Sequence, residues 1–304
     1  MSVLAGIDVG GSKTALRVVD RAGGEVRADV SVATLDWRGR GWADKAAQLA
    51  ALLRSHGAAD AVAVGVGAHG CDTGRECRAL QSALEQRTGS PARVVNDGQL
   101  LGLAAGHPDA IGLVCGTGSI AVGTTATGDT VHAGGAGWLL GDDGGATGLV
   151  REAVRAALAA RDAGTGDRVL TAALLRASGR DSLSKLGMAM MVGRPEQWAR
   201  YAPAVFEADA SGSPLARRVV SAAVDSLVAT VVSVARQGAV SDRVVVGGSV
   251  AAAQGDYVEE FRARLGAAAP HLSVTVLHGP PVAGAVQLAR AAAPTGERLP
   301  SLPG

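Results

Sequence analysis

A glycine-rich stretch that occurs twice is the strongest constraint on how this chain folds. Gly6-Ile7-Asp8-Val9-Gly10-Gly11-Ser12-Lys13-Thr14-Ala15-Leu16 lies over Gly112-Leu113-Val114-Cys115-Gly116-Thr117-Gly118-Ser119-Ile120-Ala121-Val122. With a single gap the correspondence runs on into Gly24-Glu25-Val26 and Asp129-Thr130-Val131. Each copy reads as strand, glycine turn, β-branched strand, turn, strand. Glycine makes up 43 of the 304 residues, so coincidence is the competing account. The shared hairpin order argues instead for two related domains facing each other. Copy one has Asp8 where copy two has Val114, so only one turn keeps an acid.

Beyond each hairpin the pattern changes to helix and strand in alternation. After the first copy, helical spacing over Ala43–Leu53 precedes a buried strand at Ala61–Val66. A helix at Cys77–Leu84, a strand at Arg93–Val95 and a helix at Leu100–Ala105 follow. After the second copy come helices at Gly148–Ala160, Arg168–Ala177, Pro195–Ala208 and Leu215–Gln237. The chain then returns to strand (Arg243–Val246), helix (Tyr257–Leu265), strand (Ser273–Leu277) and a final helix (Val282–Ala292). This order indicates an α/β fold. The tail 294–304, with three prolines and two glycines, is expected to fray.

Charge and composition narrow the function. Lys plus Arg number 29 and Asp plus Glu 28, a net charge of +1, which argues against nucleic acid or a membrane surface as partner. Four Trp, two Tyr and two Phe are too few for a base-stacking platform. The N-terminus lacks a basic region and meets Asp8 early, unlike a secretory signal. No stretch of ~18 uncharged apolar residues is present, so no membrane span is expected. Cys71, Cys77 and Cys115 form no disulfide framework, which suits a reducing cytoplasm.

Three glycine motifs compete as phosphate binders. Gly65-Val66-Gly67-Ala68-His69-Gly70 has the dinucleotide spacing, but the acid at the right distance, Glu85, falls in a helical stretch rather than closing a strand. Gly116-Thr117-Gly118-Ser119 is followed by β-branched residues and not by a helix. Gly6 to Gly11 nearly makes a Walker loop, but Ser12 intervenes before Lys13 and a strand follows, so the helix dipole that loop uses is missing. What remains is a hairpin turn dense in Gly, Ser, Thr and Lys, present twice. Such a turn exposes successive backbone N–H groups and can hold an anion. Two of them could grip a nucleoside triphosphate; plain hairpin turns are the alternative.

Asp8-Val9-Gly10-Gly11-Ser12-Lys13-Thr14, Asn96-Asp97-Gly98, Gly116-Thr117-Gly118-Ser119 and Val246-Gly247-Gly248-Ser249 occur in that order. They resemble the phosphate-1, connect-1, phosphate-2 and adenosine motifs of the actin-like ATPase superfamily. Gly135-Ala136-Gly137-Trp138-Leu139-Leu140-Gly141-Asp142-Asp143-Gly144 looks like the N-acetylglucosamine kinase branch, grouped with the BadF/BadG/BcrA/BcrD ATPases. Together the motifs span nearly the whole chain. The resemblance implies two actin-like (ribonuclease H-like) domains, each a mixed sheet flanked by helices, with a nucleotide cleft between them. The domains would be 1–107, completed by the C-terminal helix 282–293, and 108–281 with a helical insertion.

The same resemblance implies an ATP-dependent kinase acting on the 6-hydroxyl of an amino sugar, N-acetylglucosamine first. Such a transfer needs neutralised phosphates, a positioned hydroxyl and an acceptor for its proton. By resemblance, Asp97 is the general base, Asn96 orients it, and Asp8 holds Mg²⁺ through water. Gly10, Gly11, Ser12, Lys13 and Thr14 would grip phosphates with Thr117, Gly118 and Ser119. Gly247, Gly248 and Ser249 would lie against the adenosine. Asp142 would bind ring hydroxyls, Gly135 and Gly137 would admit close backbone approach, and Trp37 would contact the sugar. Each has a plainer reading: Asp97 and Asp142 as helix N-caps, Trp37 as a loop anchor.

Departures from the family pattern leave other readings open. Leu35 stands where the family has Asn, and the cysteine-rich zinc motif of ROK-type kinases is absent. The cysteines do not suit the iron–sulfur cluster of BadF-type activators; Cys71 and Cys115 read as small buried residues. Another sugar (N-acetylmuramic acid, glucosamine), an ATPase that energises a partner, and a sugar or nucleotide sensor without turnover are the rivals. A homodimer is suggested by resemblance alone.

Overall fold

The computed structural model describes residues 2–34, 36, 37 and 39–294. Leu35 and all of the tail beyond Pro294 therefore lie outside the described residues. The chain forms two compact units, one running from the N-terminus to Ala104 and resuming at Gly279, the other spanning Ala105–His278.

The first unit opens with β1 (Val3–Val9), β2 (Lys13–Asp20) and β3 (Val26–Ala33). Then come α1 (Trp42–Ser55), β4 (Ala63–Ala68), α2 (Gly74–Thr88), β5 (Ala92–Val95) and α3 (Gln99–Ala104). Its sheet order is β3-β2-β1-β4-β5, antiparallel through the hairpins and parallel from β1 to β4 to β5. β4 is buried along its whole length, as a strand covered on both faces must be. β3 is largely exposed, as an edge strand. A capping box between Thr73 and Glu76 starts α2, and Gly89 ends it in the left-handed conformation, the ordinary start and stop chemistry.

The second unit repeats the plan. β6 (Ile111–Cys115), β7 (Ser119–Thr124) and β8 (Thr130–Gly134) lead into α4 (Ala146–Asp162), α5 (Arg168–Ser178) and α6 (Leu183–Val192). Helices α7 (Pro195–Ala199), α8 (Ala202–Ala210) and α9 (Pro214–Arg236) follow. β9 (Arg243–Gly247), α10 (Ser249–Ala253), α11 (Gly255–Ala268) and β10 (Ser273–Val276) close the unit, and α12 (Val282–Ala292) belongs to the first. The second sheet runs β8-β7-β6-β9-β10, the same order as the first. The repeat seen in the sequence is therefore a repeat of topology.

Strand register locates the gap between the two copies. Asp8 pairs with Ala15 and Val9 with Thr14, whereas Val114 pairs with Ile120 and Cys115 with Ser119. The first turn thus holds Gly10 to Lys13 and the second only Gly116 to Gly118. Lys13 lies in the extra length that the second turn lacks.

One helical expectation needs correction, and one helix has no counterpart in the sequence reading. Pro195–Ala208 is not one helix but α7 and α8, broken at Arg200 and Tyr201. Pro203 has no N–H and fits only the first turn of a new helix. α6 was passed over; Met188, Met191 and Val192 face solvent and blur its apolar period. α9 is long and apolar enough to cross a membrane by length and composition, yet it packs into the core of its unit through Ala216, Val220, Val224, Val231 and Val234. Asp167 caps two helices at once, accepting from Leu170 N on α5 at 2.9 Å and from Ser213 Oγ at 2.6 Å ahead of α9.

The Gly65-x-Gly67 spacing is a packing device. Both glycines lie inside β4, and the next helix begins only at Gly74. A Cβ on Gly65 would sit 1.9 Å from the Ala285 carbonyl oxygen of α12, and one on Gly67 2.3 Å from Leu100. The backbones of strand and helix touch here, which only glycine allows. Gly65→Ala should therefore lower stability by about 3 kcal/mol or more in urea unfolding. Gly23→Ala, with nothing within 4 Å of the added carbon, should stay within about 0.5 kcal/mol of the parent.

Candidate active site

In the first unit, three carboxylates gather at the C-terminal ends of parallel strands, where open α/β sheets expose their loops. Asp8 is near the end of β1, Asp72 follows β4, and Asp97 follows β5. One oxygen of Asp97, Oδ1, is buried and has no hydrogen-bond partner. Burial pushes the Asp97 carboxyl up to about 7, and the charges of Asp8 and Asp72 add to that. Burial likewise raises Asp8 to about 6, against the opposing charge of Lys13.

Asn96 holds this corner in shape and is 1% exposed. Its Nδ2 donates to Asp72 Oδ1 at 2.8 Å and to the Cys71 carbonyl at 3.3 Å, while its Oδ1 accepts from Gly98 N at 2.8 Å. The Asp97 carbonyl accepts from Leu100 N at 3.1 Å in the first turn of α3. Every polar atom of the Asn96 amide is thus engaged, which fixes the peptide that carries Asp97.

The first glycine turn is closed by Gly10 N donating to the Lys13 carbonyl at 3.0 Å. Thr14 is buried behind it, its hydroxyl 2.8 Å from that of Thr34. In the second unit the shorter turn is braced from outside. Ala146 N and Thr147 N, opening α4, donate to the Gly116 and Thr117 carbonyls at 2.9 and 3.0 Å. Ser119 N donates to Asp142 Oδ1 at 3.2 Å. Gly116 also lies against Ser249, a Cβ there being 3.6 Å from Ser249 N. Gly248 takes φ 115°, and a Cβ on it would fall 2.4 Å from the Cys115 carbonyl oxygen.

The structure therefore brings Asp8, Lys13, Asn96 and Asp97 into the first unit's strand ends and turn. Thr117, Gly118, Ser119, Asp142, Gly247, Gly248 and Ser249 form a second constellation in the other unit. Gly135 N donates to the Ser119 carbonyl at 2.9 Å, and Gly137 has φ 83°. The carboxylate of Asp142, the residue expected at the sugar, accepts from Ser119 N at 3.2 Å beside the turn Gly116–Gly118, with its backbone at φ 60°. Trp37 was expected at the sugar as well, but it is 4% exposed and packed in the core of its unit. Its ring N–H donates to the His69 carbonyl at 2.8 Å, and the Lys45 ammonium lies 5.2 Å from the ring centroid.

Three residues escaped the sequence reading. Asp72 had a usable signal, its position in the loop after a parallel strand. Arg151 on α4 holds the loop 138–143, donating to the Trp138 and Gly141 carbonyls and pairing with Asp143. Tyr257 on α11 donates to the Gly144 carbonyl at 3.0 Å. Arg151 acts 10 to 13 residues back across the loop and Tyr257 acts 113 residues back, and no motif marks either.

The first corner suits a cation. Clustered carboxylates with a buried, unpartnered oxygen are stabilised by positive charge brought among them. Among the described residues, no three His, Cys, Asp or Glu side chains could hold a metal ion by themselves. Asp8, Asp72 and Asp97 supply carboxylate oxygens here, the donor type that hard cations take.

The profile of the BadF/BadG/BcrA/BcrD ATPase family matches residues 5–286. The chain is similar in structure to the "putative N-acetylglucosamine kinase" of Chromobacterium violaceum, with TM-score 0.70 and 24% identity over 95% of this chain and 99% of that one. The Porphyromonas gingivalis protein of the same description gives 0.68 and 19%, covering 96% and 99%. A ROK family glucokinase from Streptomyces griseus, in complex with glucose and AMPPNP, gives 0.63 and 22% over 96% and 99%. At these identities the likeness establishes the actin-like sugar kinase fold. A search of curated proteins finds no match. The chain belongs to the BadF/BadG/BcrA/BcrD ATPase family.

Proposed function

We propose that this protein is an ATP-dependent kinase that transfers the γ-phosphoryl group to the 6-hydroxyl of an amino sugar, N-acetylglucosamine first. One observation carries the reading: Asp97 offers a buried carboxyl oxygen with no internal partner, on a backbone held by Asn96. A buried acceptor left unsatisfied costs about 1–3 kcal/mol, and a substrate hydroxyl would satisfy it. The hydroxyl proton passes to Asp97 as the sugar oxygen bonds to the γ-phosphorus, and the bond to the β,γ-bridging oxygen breaks to release ADP.

The remaining residues have supporting roles. The turn Gly10 to Thr14 and the turn Thr117 to Ser119 supply N–H donors for phosphate oxygens, with Lys13 as a cation. Gly247, Gly248 and Ser249 flank the adenosine. Asp8 would hold Mg²⁺ through water, and the ion would neutralise phosphate charge. Asp142 acts on the sugar by way of the turn it braces. The relatives named above support this reading by their fold and by the sugar and nucleotide bound to one of them.

The direct test is ATP consumption with Mg²⁺ against N-acetylglucosamine, glucosamine, N-acetylmannosamine, N-acetylmuramic acid and glucose, with product mass measured. A phosphorylated N-acetylhexosamine is the expected product. ATP hydrolysis with every sugar unmodified would turn the reading to an energising ATPase, and nucleotide binding without turnover to a sensor.

Asp97→Asn should retain ATP binding and lose two or more orders of magnitude in turnover, on ordinary general-base magnitudes. Since the carboxylate is the active form, turnover of the parent should fall as pH drops below about 7. Stability moves the other way. The folded-state value lies above the ordinary 3.8, so this carboxyl favours the folded state below about 4 and loses that effect as pH rises through about 7. Asp97→Asn should therefore melt ~5 °C above the parent at pH 8, the gap narrowing toward pH 4. A variant that is both slower and no more stable at pH 8 would remove the buried charge from the account.

A further inference from the structure

The carbonyl of Gly144 joins three segments of the second unit. Tyr257 Oη, from α11, donates to it at 3.0 Å, and Cys115 Sγ, from β6, donates at 3.3 Å. Both side chains are internal, 3% and 0% exposed. The N–H of the same residue donates to Ser119 Oγ in the phosphate turn at 3.3 Å. Gly144 has no room to shift toward α9, since a Cβ there would lie 2.2 Å from Leu227. Gly144 also lies near the end of the loop that joins β8 to α4, whose Asp142 accepts from Ser119 N.

The other ends of these bonds lead to the turn Gly247 to Ser249. The short helix α10 starts at Ser249, directly after Gly248. The carbonyl of Cys115 lies against Gly248. Tyr257 is on the next helix, its ring edge-on to Phe206 with centroids 5.3 Å apart. Burial holds the Tyr257 phenol and the Cys115 thiol in their neutral, donating forms. A displacement at Gly248 or of α11 thus reaches Gly144 by two routes, the packing of Gly248 on Cys115 and the Tyr257 hydrogen bond.

The geometry points to Tyr257 and Cys115 as positioning residues that transmit nucleotide occupancy at Gly247 to Ser249 into the loop Gly135–Gly144. Nucleotide seated on the turn fixes Gly248 and α11, Cys115 and Tyr257 in turn fix the Gly144 carbonyl, and the loop is ordered before sugar arrives. This rests on the reading that the turn binds ATP. It goes beyond that reading by naming how one substrate prepares the site of the other, a coupling that must act in both directions.

Hydrogen–deuterium exchange with AMPPNP and Mg²⁺ as the probe tests the relay without any sugar. In the parent, AMPPNP should slow exchange at least ~5-fold in peptides covering 135–144, the local-opening signal of an ordered loop. Tyr257→Phe should keep AMPPNP affinity within ~3-fold yet show less than ~2-fold slowing at equal occupancy. Cys115→Ala should weaken the response and Cys115→Ser, which restores a donor, should recover it; this pair decides the matter if Tyr257→Phe does not fold. Equal protection in parent and in Tyr257→Phe overturns the relay, as does AMPPNP binding to the parent without protection of the loop. A parent that binds no AMPPNP overturns the ATP reading and the relay with it.

Discussion

Helix α12 lies on β1 and β4 backbone to backbone, and the rest of the first unit depends on that contact. A Cβ on Gly6 would meet Val286 N at 2.6 Å, and one on Gly284 would meet the Leu100 carbonyl at 2.4 Å. Gly6 and Gly65 remove side chains from the sheet side of this interface, and Gly284 does the same where α12 meets α3. Dispersion gain at such a contact is large because atoms of both backbones reach optimal separation. The same closeness leaves no freedom for the strands to slide. It therefore fixes where β1, β4 and β5 end, and those ends carry Asp8, Asp72 and Asp97.

A rigid frame is what allows an unfavourable arrangement to persist at those ends. Asp97 is desolvated and faces two like charges, and its Oδ1 lacks a partner. Left to itself such a carboxyl would rotate toward water or draw in a donor. Asn96 fixes the backbone that carries it by engaging Asp72, Cys71 and Gly98 at once. The neighbouring core is apolar and tightly filled, with Cys71, Leu80 and Leu84 fully buried. Stored electrostatic cost at a strand end, maintained by packing elsewhere, is the usual physical signature of a functional site.

What the sequence revealed follows from which interactions are local. Hairpins and buried strands were legible because apolar alternation and glycine turns are short-range signals. α12 was legible to the residue, since its apolar face is continuous. α6 was not, because its exposed methionines contradict the expected face. The motif residues Asp8, Asn96 and Asp97 were visible as types in a known order. Trp37 was visible too, but its burial under Lys45 depends on α1 packing that no spacing encodes. Asp72 and Tyr257 act through a distant amide and a distant carbonyl, and only tertiary structure brings such partners together.

The two hairpins share a topology and differ in what surrounds the turn. The first is one residue longer, carries Lys13, and stands beside acids whose charge is poorly solvated. The second has Val114 in place of the acid and, beside the Asp142 carboxylate that accepts from Ser119 N, is braced by neutral groups: the first amides of α4, the Ser119 hydroxyl, and through Gly144 the Tyr257 phenol and Cys115 thiol. Charged groups can polarise and accept protons, but their effect varies with pH and screening. Neutral hydrogen bonds in a dry interior vary little with either and hold geometry well. The proposed division follows from this contrast: the first unit's corner handles the proton, and the second unit's turn handles position. A repeat built twice on one plan can support both because the plan specifies only the backbone, and the side chains around each turn decide its chemistry.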